Sequence, residues 1–353
     1  MTNGIKKLQK PRIYVLETGG TIAQKKTVIA KGISAHRPIQ DSVVKKVKGV
    51  NKLADVKVEL LPKLIDSTNM LTHQRIMLAK KLYANHRHFD GFVILHGTDT
   101  MAETAAFLTF ALRCFGKPII LTGSQRSIYE DRTDAKNNIL AAIESSTQDY
   151  GEVVICFGGQ VLRGSRALKY DEEGNDAFES PRCPPIGKIG LSVTPLGGRI
   201  NRFSGDPVLF TDFDTGISFE YPASGASIDI FSSTIKNRNV HGIVFVGFGA
   251  GNIPESYYPA LASARELNKP VVVVTECPRG KTDMGIYEPG VKPLELGVIP
   301  GADMTPKVAA QKLMFALGRA TADNIASIDK IEYVRHRIHT PYAREISLEG
   351  VML

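Results

Sequence analysis

Short apolar runs alternate with segments of helical spacing along most of this chain, and this alternation constrains its fold more than any other feature. The runs typical of buried strands are 13–16, 56–61, 91–95, 118–121 and 152–156. The segments that we expect to be helical are 40–47, 72–85, 99–114 and 134–145. Strands separated by helices pair in parallel and are covered on both faces. We therefore predict an α/β protein whose larger N-terminal domain is a parallel sheet with helices on both faces.

A second unit with the same alternation follows nearer the C-terminus. Its expected strands and helices are 242–246, 257–266, 271–275 and 305–317. Between the two units the pattern loosens into Gly, Pro, Arg and Asp, which is typical of a connection. We predict an N-terminal catalytic domain of residues 1–185, an inter-domain linker of residues 186–214 and a smaller C-terminal α/β domain of residues 215–353.

Composition excludes several classes of protein. No apolar run approaches the roughly 20 residues that a membrane-spanning helix needs, and residues 1–10 lead into no signal-type apolar core. We therefore expect a cytoplasmic protein without a membrane partner. The four cysteines are scattered, and the histidines lie without carboxylate or thiolate partners, so neither a disulfide framework nor a metal site is expected. The net charge is +8, and its densest basic clusters are short and lack interleaved aromatics, which predicts a solvated basic face and no nucleic-acid partner.

Small polar residues follow closely after three of the predicted strands. Thr18-Gly-Gly-Thr21 follows the first strand, Asp66-Ser67-Thr68 the second and His96-Gly-Thr-Asp99 the third. Ligands of open α/β sheets bind beyond the carboxyl ends of the strands. Paired glycines let the backbone turn sharply and approach a ligand closely. The three segments are therefore candidates for one site.

Each segment also has an ordinary structural explanation. The hydroxyls of Thr18, Thr21, Ser67 and Thr98 could serve local hydrogen bonds in turns. Asp99 opens a predicted helix, where an acidic cap is favoured. Lys169, in Arg166-Ala-Leu-Lys169, could be a solvated lysine.

The joint occurrence of these residue types favours catalysis. Covalent hydrolysis of an amide needs a hydroxyl nucleophile, a base to activate it and donors aimed at the developing oxyanion. Thr21 can be the nucleophile, with the glycine-flanked N–H groups as donors. Thr98, placed between Asp99 and Lys169, can relay a proton, provided that the lysine reaches its uncharged form.

Two motifs, Thr18-Gly-Gly-Thr-Ile-Ala23 and His96-Gly-Thr-Asp-Thr-Met101, resemble the signatures of the bacterial-type L-asparaginase/glutaminase family. Thr21 and Thr98 are about 77 residues apart, in the order that the family shows. The resemblance continues over most of the chain and is closest to the cytoplasmic (type I) L-asparaginases. Its further points are Asp66-Ser67-Thr68, Thr122-Gly-Ser-Gln125, Lys169, Gly251-Asn252 and Gly301-Ala-Asp-Met-Thr305.

The resemblance implies hydrolysis of L-asparagine to L-aspartate and ammonia through an ester on Thr21, without a cofactor. It implies a second triad of Thr98, Asp99 and Lys169. The substrate contacts that it implies are Gly20, Asp66, Ser67, Thr68, Gly97, Ser124 and Asn252. In the family the Ser67 position binds the substrate α-carboxylate, the Asp99 position also holds the α-amino group, and the Ser124 position lies near the leaving amide.

The resemblance also implies a homodimer or homotetramer, because the position of Asn252 is supplied by a neighbouring subunit in the family. Two features remain open. Family members often carry a lid tyrosine that orients the nucleophile, and residues 24–40 contain none. We expect residues 24–37 to be a mobile loop placed where a lid would lie, and either another residue fills that role or the lid works differently here. Cys277 falls where some cytoplasmic members bind asparagine as an effector, although a buried structural cysteine is the simpler interpretation.

Two other functions compete with the L-asparaginase hypothesis. One is the asparaginase-like subunit of a glutamyl-tRNA amidotransferase, whose motif resembles Thr122-Gly-Ser-Gln-Arg-Ser127. That subunit carries an added N-terminal domain, and only ten residues precede Pro11 here. The other is a catalytically silent module that binds amino acids.

Overall fold

The computed structural model describes residues 9–30 and 33–347, and it contains two parallel sheets with helices around them. The strands of its first half are β1 (Arg12–Glu17), β2 (Gln24–Ala30), β3 (Ile33–Pro38), β4 (Asp55–Leu60), β5 (Gly91–Leu95), β6 (Leu112–Arg113), β7 (Ile119–Thr122), β8 (Val153–Phe157) and β9 (Gln160–Arg163). The remaining strands are β10 (Leu168–Lys169), β11 (Phe178–Glu179), β12 (Gly187–Ile189), β13 (Val193–Pro195), β14 (Val208–Leu209), β15 (Ile217–Glu220), β16 (Gly242–Gly247), β17 (Val271–Thr275) and β18 (Ile299–Pro300). The helices are α1 (Val50–Leu53), α2 (Thr72–Asn85), α3 (Met101–Ala111), α4 (Ala135–Thr147), α5 (Asp229–Lys236), α6 (Tyr258–Glu266), α7 (Glu288–Glu295), α8 (Pro306–Ala322) and α9 (Lys330–His339).

The first sheet has eight strands in the order β13-β12-β9-β8-β7-β5-β1-β4. Five neighbouring strands, β4, β1, β5, β7 and β8, are parallel to one another. Strands β9, β12 and β13 extend the sheet beyond β8 in antiparallel pairs. Side chains of β1 alternate between two cores, because successive residues of a strand point to opposite faces. Tyr14 and Leu16 pack with α2 and α3, whereas Ile13 and Val15 pack with α4. Helices therefore cover both faces of this sheet.

The second sheet has four parallel strands in the order β15-β16-β17-β18. One of its faces packs on α5 and α6, and the other packs on α8 and α9. The core under α8 also contains Ala106 and Phe110 of α3, so the two halves of the chain share a hydrophobic core. These two sheets, one larger and one smaller, confirm the predicted fold class.

Three segments differ from the sequence-based expectations. The predicted mobile loop at 24–37 is instead an antiparallel hairpin of β2 and β3. The helix predicted at 40–47 is only a single 3-10 turn at Val44–Lys46. Residues 187–189 and 193–195, expected in the linker, form β12 and β13 of the first sheet. The domain limits of 1–185, 186–214 and 215–353 stay a prediction.

Residues 342–347 connect the last helices to the first half of the chain. The guanidinium of Arg166, which is 2% exposed, forms an ion pair with Asp303 at 2.7 Å. The same side chain donates to the Arg344 carbonyl at 2.8 Å and to Ser347 Oγ at 3.2 Å. Because Arg166 lies three residues before Lys169, this contact anchors the segment that carries the lysine.

A second buried charge pair holds the same C-terminal segment, and its loss should destabilise the fold strongly. Lys312 Nζ lies 2.7 Å from Glu345 Oε1 with both side chains fully buried, and it also donates to the Ile338 and Thr340 carbonyls. We expect Lys312→Met to lower the free energy of unfolding by about 3–5 kcal/mol, since it leaves a buried carboxylate without a counter-charge. Urea unfolding of the wild type and of Lys312→Met measures this difference in the free energy of unfolding. The double variant Lys312→Met/Glu345→Gln should recover part of the loss, and a single variant as stable as the wild type would contradict this expectation.

Candidate active site

Four loops lie side by side at the carboxyl edge of the first sheet. They follow β7, β5, β1 and β4, which are neighbours in that order. From β1 the chain continues to β4 on one side, and β5 then pairs on the other side. Such a reversal of strand order opens a crevice at the strand ends. The loops after β1 and β5, which carry Thr21 and Thr98, flank this crevice.

Glycines allow three of these loops to touch. Gly20 has φ +86°, and a Cβ on it would lie 2.3 Å from the Cα of Gly97. A Cβ on Gly97 would lie 2.5 Å from the Oγ of Ser67. Neither position can carry a larger residue without moving the backbone. Thr21 and Thr98 each follow one of these glycines directly, so the two threonines emerge from the same contact.

Hydrogen bonds fix the loops in this arrangement. The Thr18 N–H and hydroxyl both donate to the Leu95 carbonyl, at 3.0 and 2.9 Å. The Ile65 N–H donates to the Thr18 carbonyl at 2.7 Å, and the Thr100 hydroxyl donates to the Ser67 carbonyl at 2.7 Å. The loops after β1, β4 and β5 therefore form one rigid cluster, which is the arrangement that a positioned catalytic site needs.

Lys169 completes a triad with Thr98 and Asp99. Its Nζ donates to Thr98 Oγ1 at 2.9 Å and to Asp99 Oδ1 at 2.8 Å. Thr98 is 5% exposed, and the Lys169 side chain is 19% exposed. Asp99 is not the cap of α3, because the helix begins at Met101 with Thr100 in the cap position. The ordinary explanations of Asp99 as a helix cap and of Lys169 as a solvated lysine are therefore wrong.

The other predicted site residues on these loops have their own partners. Asp66 Oδ1 accepts hydrogen bonds from the Thr68 N–H at 3.1 Å and from the Thr68 hydroxyl at 3.0 Å, at an exposed position. Ser124 is buried, and its hydroxyl donates to the Arg126 carbonyl. The loop of Ser124 contacts the cluster, since a Cβ on Gly123 would lie 2.3 Å from the His96 carbonyl oxygen.

Asn252 lies apart from this cluster, at the carboxyl end of β16 in the second sheet. Its N–H donates to the Phe248 carbonyl at 2.8 Å, and its carbonyl accepts from the Phe248 N–H at 3.0 Å. Its side-chain Oδ1 is buried and has no hydrogen-bond partner among residues 9–30 and 33–347. Among residues 9–30 and 33–347, no recorded hydrogen bond joins Asn252 to Thr21 or Thr98.

Two open points of the sequence analysis concern the lid and Cys277. The lid hairpin is present, but its side chains at 27–38 lie outside those that the structure describes, so the replacement of the lid tyrosine stays open. Cys277 is half-buried, its N–H donates to Thr275 Oγ1 at 3.0 Å, and its carbonyl accepts from Arg182. Within the described ranges, no group of three or more His, Cys, Asp and Glu residues is placed to hold a metal ion.

A buried hydrogen-bond chain behind the crevice was not predicted from the sequence. His96 is fully buried, and its Nδ1 donates to the Gly97 carbonyl at 2.7 Å. Its Nε2 then accepts from Thr104 Oγ1 at 3.0 Å, and the same oxygen accepts from Arg75 Nε at 3.2 Å. Burial lowers the pKa of His96 to about 4. The imidazole is therefore neutral at pH 7, as this donor–acceptor pattern requires.

The depressed pKa of His96 predicts a component of stability that is lost in acid. The unfolded chain protonates His96 near pH 6.5, whereas the folded chain does so only near 4. This contribution is complete above pH 6.5 and is lost as the pH falls toward 4, with a total of roughly 3 kcal/mol. Urea unfolding from pH 7.5 to 4 should show a steeper loss for the wild type than for His96→Asn. Replacement of the exposed His88 by glutamine is the matched control, and parallel curves for wild type and His96→Asn would refute the prediction.

Comparison with known proteins identifies the family. Residues 12–197 match the family model described as "Asparaginase, N-terminal", and residues 220–331 match the "Glutaminase/Asparaginase C-terminal domain". The chain belongs to the asparaginase family. The predicted membership of this family of amidohydrolase enzymes is thus confirmed.

Relatives of the asparaginase family match nearly the whole chain. L-asparaginase 1 of Escherichia coli K12 is 33% identical over 321 residues, which cover 88% of this chain and 93% of the relative. The solved thermostable L-asparaginase of Thermococcus kodakarensis superposes with a TM-score of 0.85 at 29% identity, over 96% of this chain and 100% of that one. A subunit of the glutamyl-tRNA(Gln) amidotransferase of Archaeoglobus fulgidus is 31% identical over 92% of this chain and 79% of its own length.

No described helix is long and apolar enough to cross a membrane.

Proposed function

We propose that this chain hydrolyses L-asparagine to L-aspartate and ammonia through an acyl-enzyme on Thr21. The observation that carries the proposal is the contact of the Gly20 and Gly97 backbones, which places the Thr21 loop against the Thr98–Asp99–Lys169 triad. A hydroxyl nucleophile beside a hydroxyl–amine pair is the arrangement that covalent amide cleavage needs. The relatives named as L-asparaginases support asparagine as the substrate.

The reaction has two steps in this proposal. The Thr21 oxygen attacks the side-chain carbonyl carbon of asparagine, the C–N bond breaks, and the hydroxyl proton leaves with the amide nitrogen as ammonia. Water then attacks the aspartyl ester, which returns L-aspartate and the Thr21 hydroxyl. Lys169, in its uncharged form, would receive and return the proton through Thr98, while backbone N–H groups of the glycine turns stabilise the oxyanion. Ser67, Asp99, Thr68 and Asp66 would bind the α-carboxylate and α-amino groups, and Ser124 would lie near the leaving nitrogen.

Steady-state ammonia release from L-Asn, D-Asn and L-Gln tests the proposal. We expect turnover of L-Asn by the purified chain without any added cofactor, partner protein or RNA. Failure to release ammonia from L-Asn would refute it.

Asn252 leads us to propose in addition that two copies of the chain share each active site. Asn252 follows β16 of the second sheet, whereas Thr21 and Thr98 follow strands of the first, and the position that Asn252 matches in the family is supplied by a neighbouring subunit. Co-expression of two inactive variants, Thr21→Ala and Asn252→Ala, should restore activity. A mixed dimer then contains one doubly altered site and one intact site. The separately purified homodimers should each stay inactive, and absence of complementation in verified mixed dimers would contradict the shared site.

The amidotransferase subunit is a second candidate, with which the Archaeoglobus relative and the Thr122–Ser127 run are compatible. Ammonia release from free L-asparagine without a partner separates the two functions. A silent amino-acid-binding module would instead bind L-asparagine without turnover. Cytoplasmic residence stays a prediction, as does the interpretation of Cys277 as a structural cysteine rather than part of an effector site.

A further inference from the structure

A buried carboxylate that the proposed reaction does not use lies at the end of β1, four residues before Thr21. Glu17 is 2% exposed. Its Oε1 accepts hydrogen bonds from Ser42 Oγ at 2.7 Å and from the Val44 N–H at 3.2 Å, and its Oε2 accepts from the Val43 N–H at 3.0 Å. Three donors that meet at both oxygens of one side chain require a carboxylate. A glutamine offers one acceptor oxygen, and its NH₂ group would face another donor.

These contacts close a ring of chain around the loop after β1. The chain leaves β1 at Glu17, passes through the 3-10 turn Thr21–Ala23 and enters the β2–β3 hairpin. Where the chain returns from the hairpin, the Ile39 N–H donates to the Ala23 carbonyl at 2.9 Å. Residues 42–44 then reach Glu17. The turn that begins with the proposed nucleophile is therefore held at its start by the carboxylate and at its end by a backbone hydrogen bond.

Apolar packing joins the same two segments. Ile22 and Ala23, which follow Thr21 directly, lie in one hydrophobic core with Val43 and Val44. Protein interiors are close-packed, so a displacement of one side chain is transmitted to those that it touches. A movement of Val43 and Val44 would therefore move Ile22 and, with it, Thr21.

The charge of Glu17 does not stabilise the fold at neutral pH. Burial raises the pKa of Glu17 by more than the hydrogen bonds from residues 42–44 lower it. Because the folded-state pKa lies above the unfolded one, the contribution of Glu17 to stability is present in acid and is lost as the pH rises through the folded-state pKa. A carboxylate that is retained in spite of this loss points to a role other than stability.

The charged groups near Glu17 lie on the segment that it binds. Asp41 acts on Glu17 as a like charge, and Asp41 itself pairs with Lys46 at 2.7 Å. Lys45 and Lys46 of the 3-10 turn are exposed. The residues opposite Glu17 on the neighbouring strands, and those of α4 in the core on the same face of the sheet, are apolar: Leu60, Leu95, Ala135 and Ile139.

We propose that Glu17 is a positioning residue for amide hydrolysis: its carboxylate holds residues 42–44 against the end of β1 and thereby fixes the orientation of the Thr21 hydroxyl. Glu17 itself does not touch the substrate. This role rests on the proposed function, since it concerns the same nucleophile. The contact of Glu17 with residues 42–44, however, can be measured without turnover.

The pH dependence of kcat in Glu17→Gln tests this role. At pH 8 we expect kcat for L-asparagine to fall about tenfold with KM little changed, since a displaced nucleophile slows the chemical step. The ratio of the wild-type kcat to that of Glu17→Gln should shrink as the pH falls toward 4.5, because protonation then removes the carboxylate from the wild type as well. Ionisations that both proteins share cancel in this ratio, so a ratio that stays constant with pH overturns the role.

A second variant and a control accompany this measurement. Ser42→Ala removes one donor and keeps the carboxylate, so kcat should fall by about threefold. The double variant Glu17→Gln/Ser42→Ala should be little slower than Glu17→Gln alone, because both changes break the same contact. Glu266→Gln changes an exposed carboxylate at the end of α6 and should leave kcat unchanged. Ser42→Ala also tests the role where Glu17→Gln fails to fold, and a wild-type kcat for Ser42→Ala then overturns it.

Amide hydrogen exchange separates failure of this role from failure of the proposed function. The N–H groups of Ile39, Val43 and Val44 should exchange about tenfold faster in Glu17→Gln than in the wild type at the same pH. If the wild type releases no ammonia from L-Asn, the proposed function fails, while faster exchange in the variant still shows that Glu17 holds residues 42–44. An active wild type whose kcat equals that of Glu17→Gln at pH 8 refutes the role of Glu17 alone.

Discussion

Replacement of Thr21 by alanine should reduce ammonia release from L-asparagine by about 10⁴-fold or more while the chain stays folded. The loss follows because the other hydroxyl on the loop after β1, that of Thr18, is buried and donates to the Leu95 carbonyl, and Gly19 and Gly20 offer only backbone groups there. Thr21 lies at the start of a 3-10 turn whose Ile22 and Ala23 carry the buried contacts. Removal of the Thr21 hydroxyl therefore takes nothing from the core.

Rate measurements and a trapped intermediate together identify the nucleophile. Thr21→Ser retains a hydroxyl and should keep part of the activity, and the exposed Thr194→Ala should behave as the wild type. Acid quenching of the wild type during turnover should leave one aspartyl group on the peptide that contains Thr21, as detected by mass spectrometry. An aspartyl group on Thr98, or full activity of Thr21→Ala, would show that another residue is the nucleophile.

Replacement of Lys169 by methionine should also lower kcat by about 10⁴-fold, since members of a covalent catalytic unit act together. Lys169 Nζ holds Thr98 at 2.9 Å and Asp99 at 2.8 Å, so methionine removes both the proton carrier and the group that orients the second hydroxyl. The change should affect kcat more than KM, because proton transfer belongs to the chemical step.

The exposed Lys188→Met is the matched control for Lys169→Met and should leave both constants unchanged. The double variant Thr98→Val/Lys169→Met should be little slower than Lys169→Met alone, because the two groups act as one relay. If the fold-losses in kcat of the two single variants multiply in the double variant, the lysine acts independently of Thr98. A wild-type rate for Lys169→Met would refute the relay.

The sheet edge and its hydroxyls were predictable because their signals are local in sequence. Thr18-Gly-Gly-Thr21 and His96-Gly-Thr-Asp99 each follow an apolar run directly, so the strand-end rule places them together. The triad with Lys169 needed the resemblance to the family as well, because 70 residues separate Lys169 from Asp99.

The features that the sequence did not predict depend on contacts between distant residues. Arg75 has the spacing of an ordinary helix residue, and nothing near it indicates that it reaches Thr104 on another helix. The hairpin at 24–38 begins with Gln24, Lys25 and Lys26, whose polarity is typical of a loop. The strands β12 and β13 have three residues each, too few for an alternating pattern to be visible.

The tether of Arg166 has a consequence for synthesis of the protein. Arg166 binds Asp303, the Arg344 carbonyl and Ser347 Oγ, so the segment that carries Lys169 gains its full set of anchors only after residue 347 has left the ribosome. Most of the first sheet can assemble earlier, since its strands end at residue 195. Prematurely terminated chains would thus contain the Thr21 loop but lack the C-terminal contacts that hold the segment of Lys169 in place.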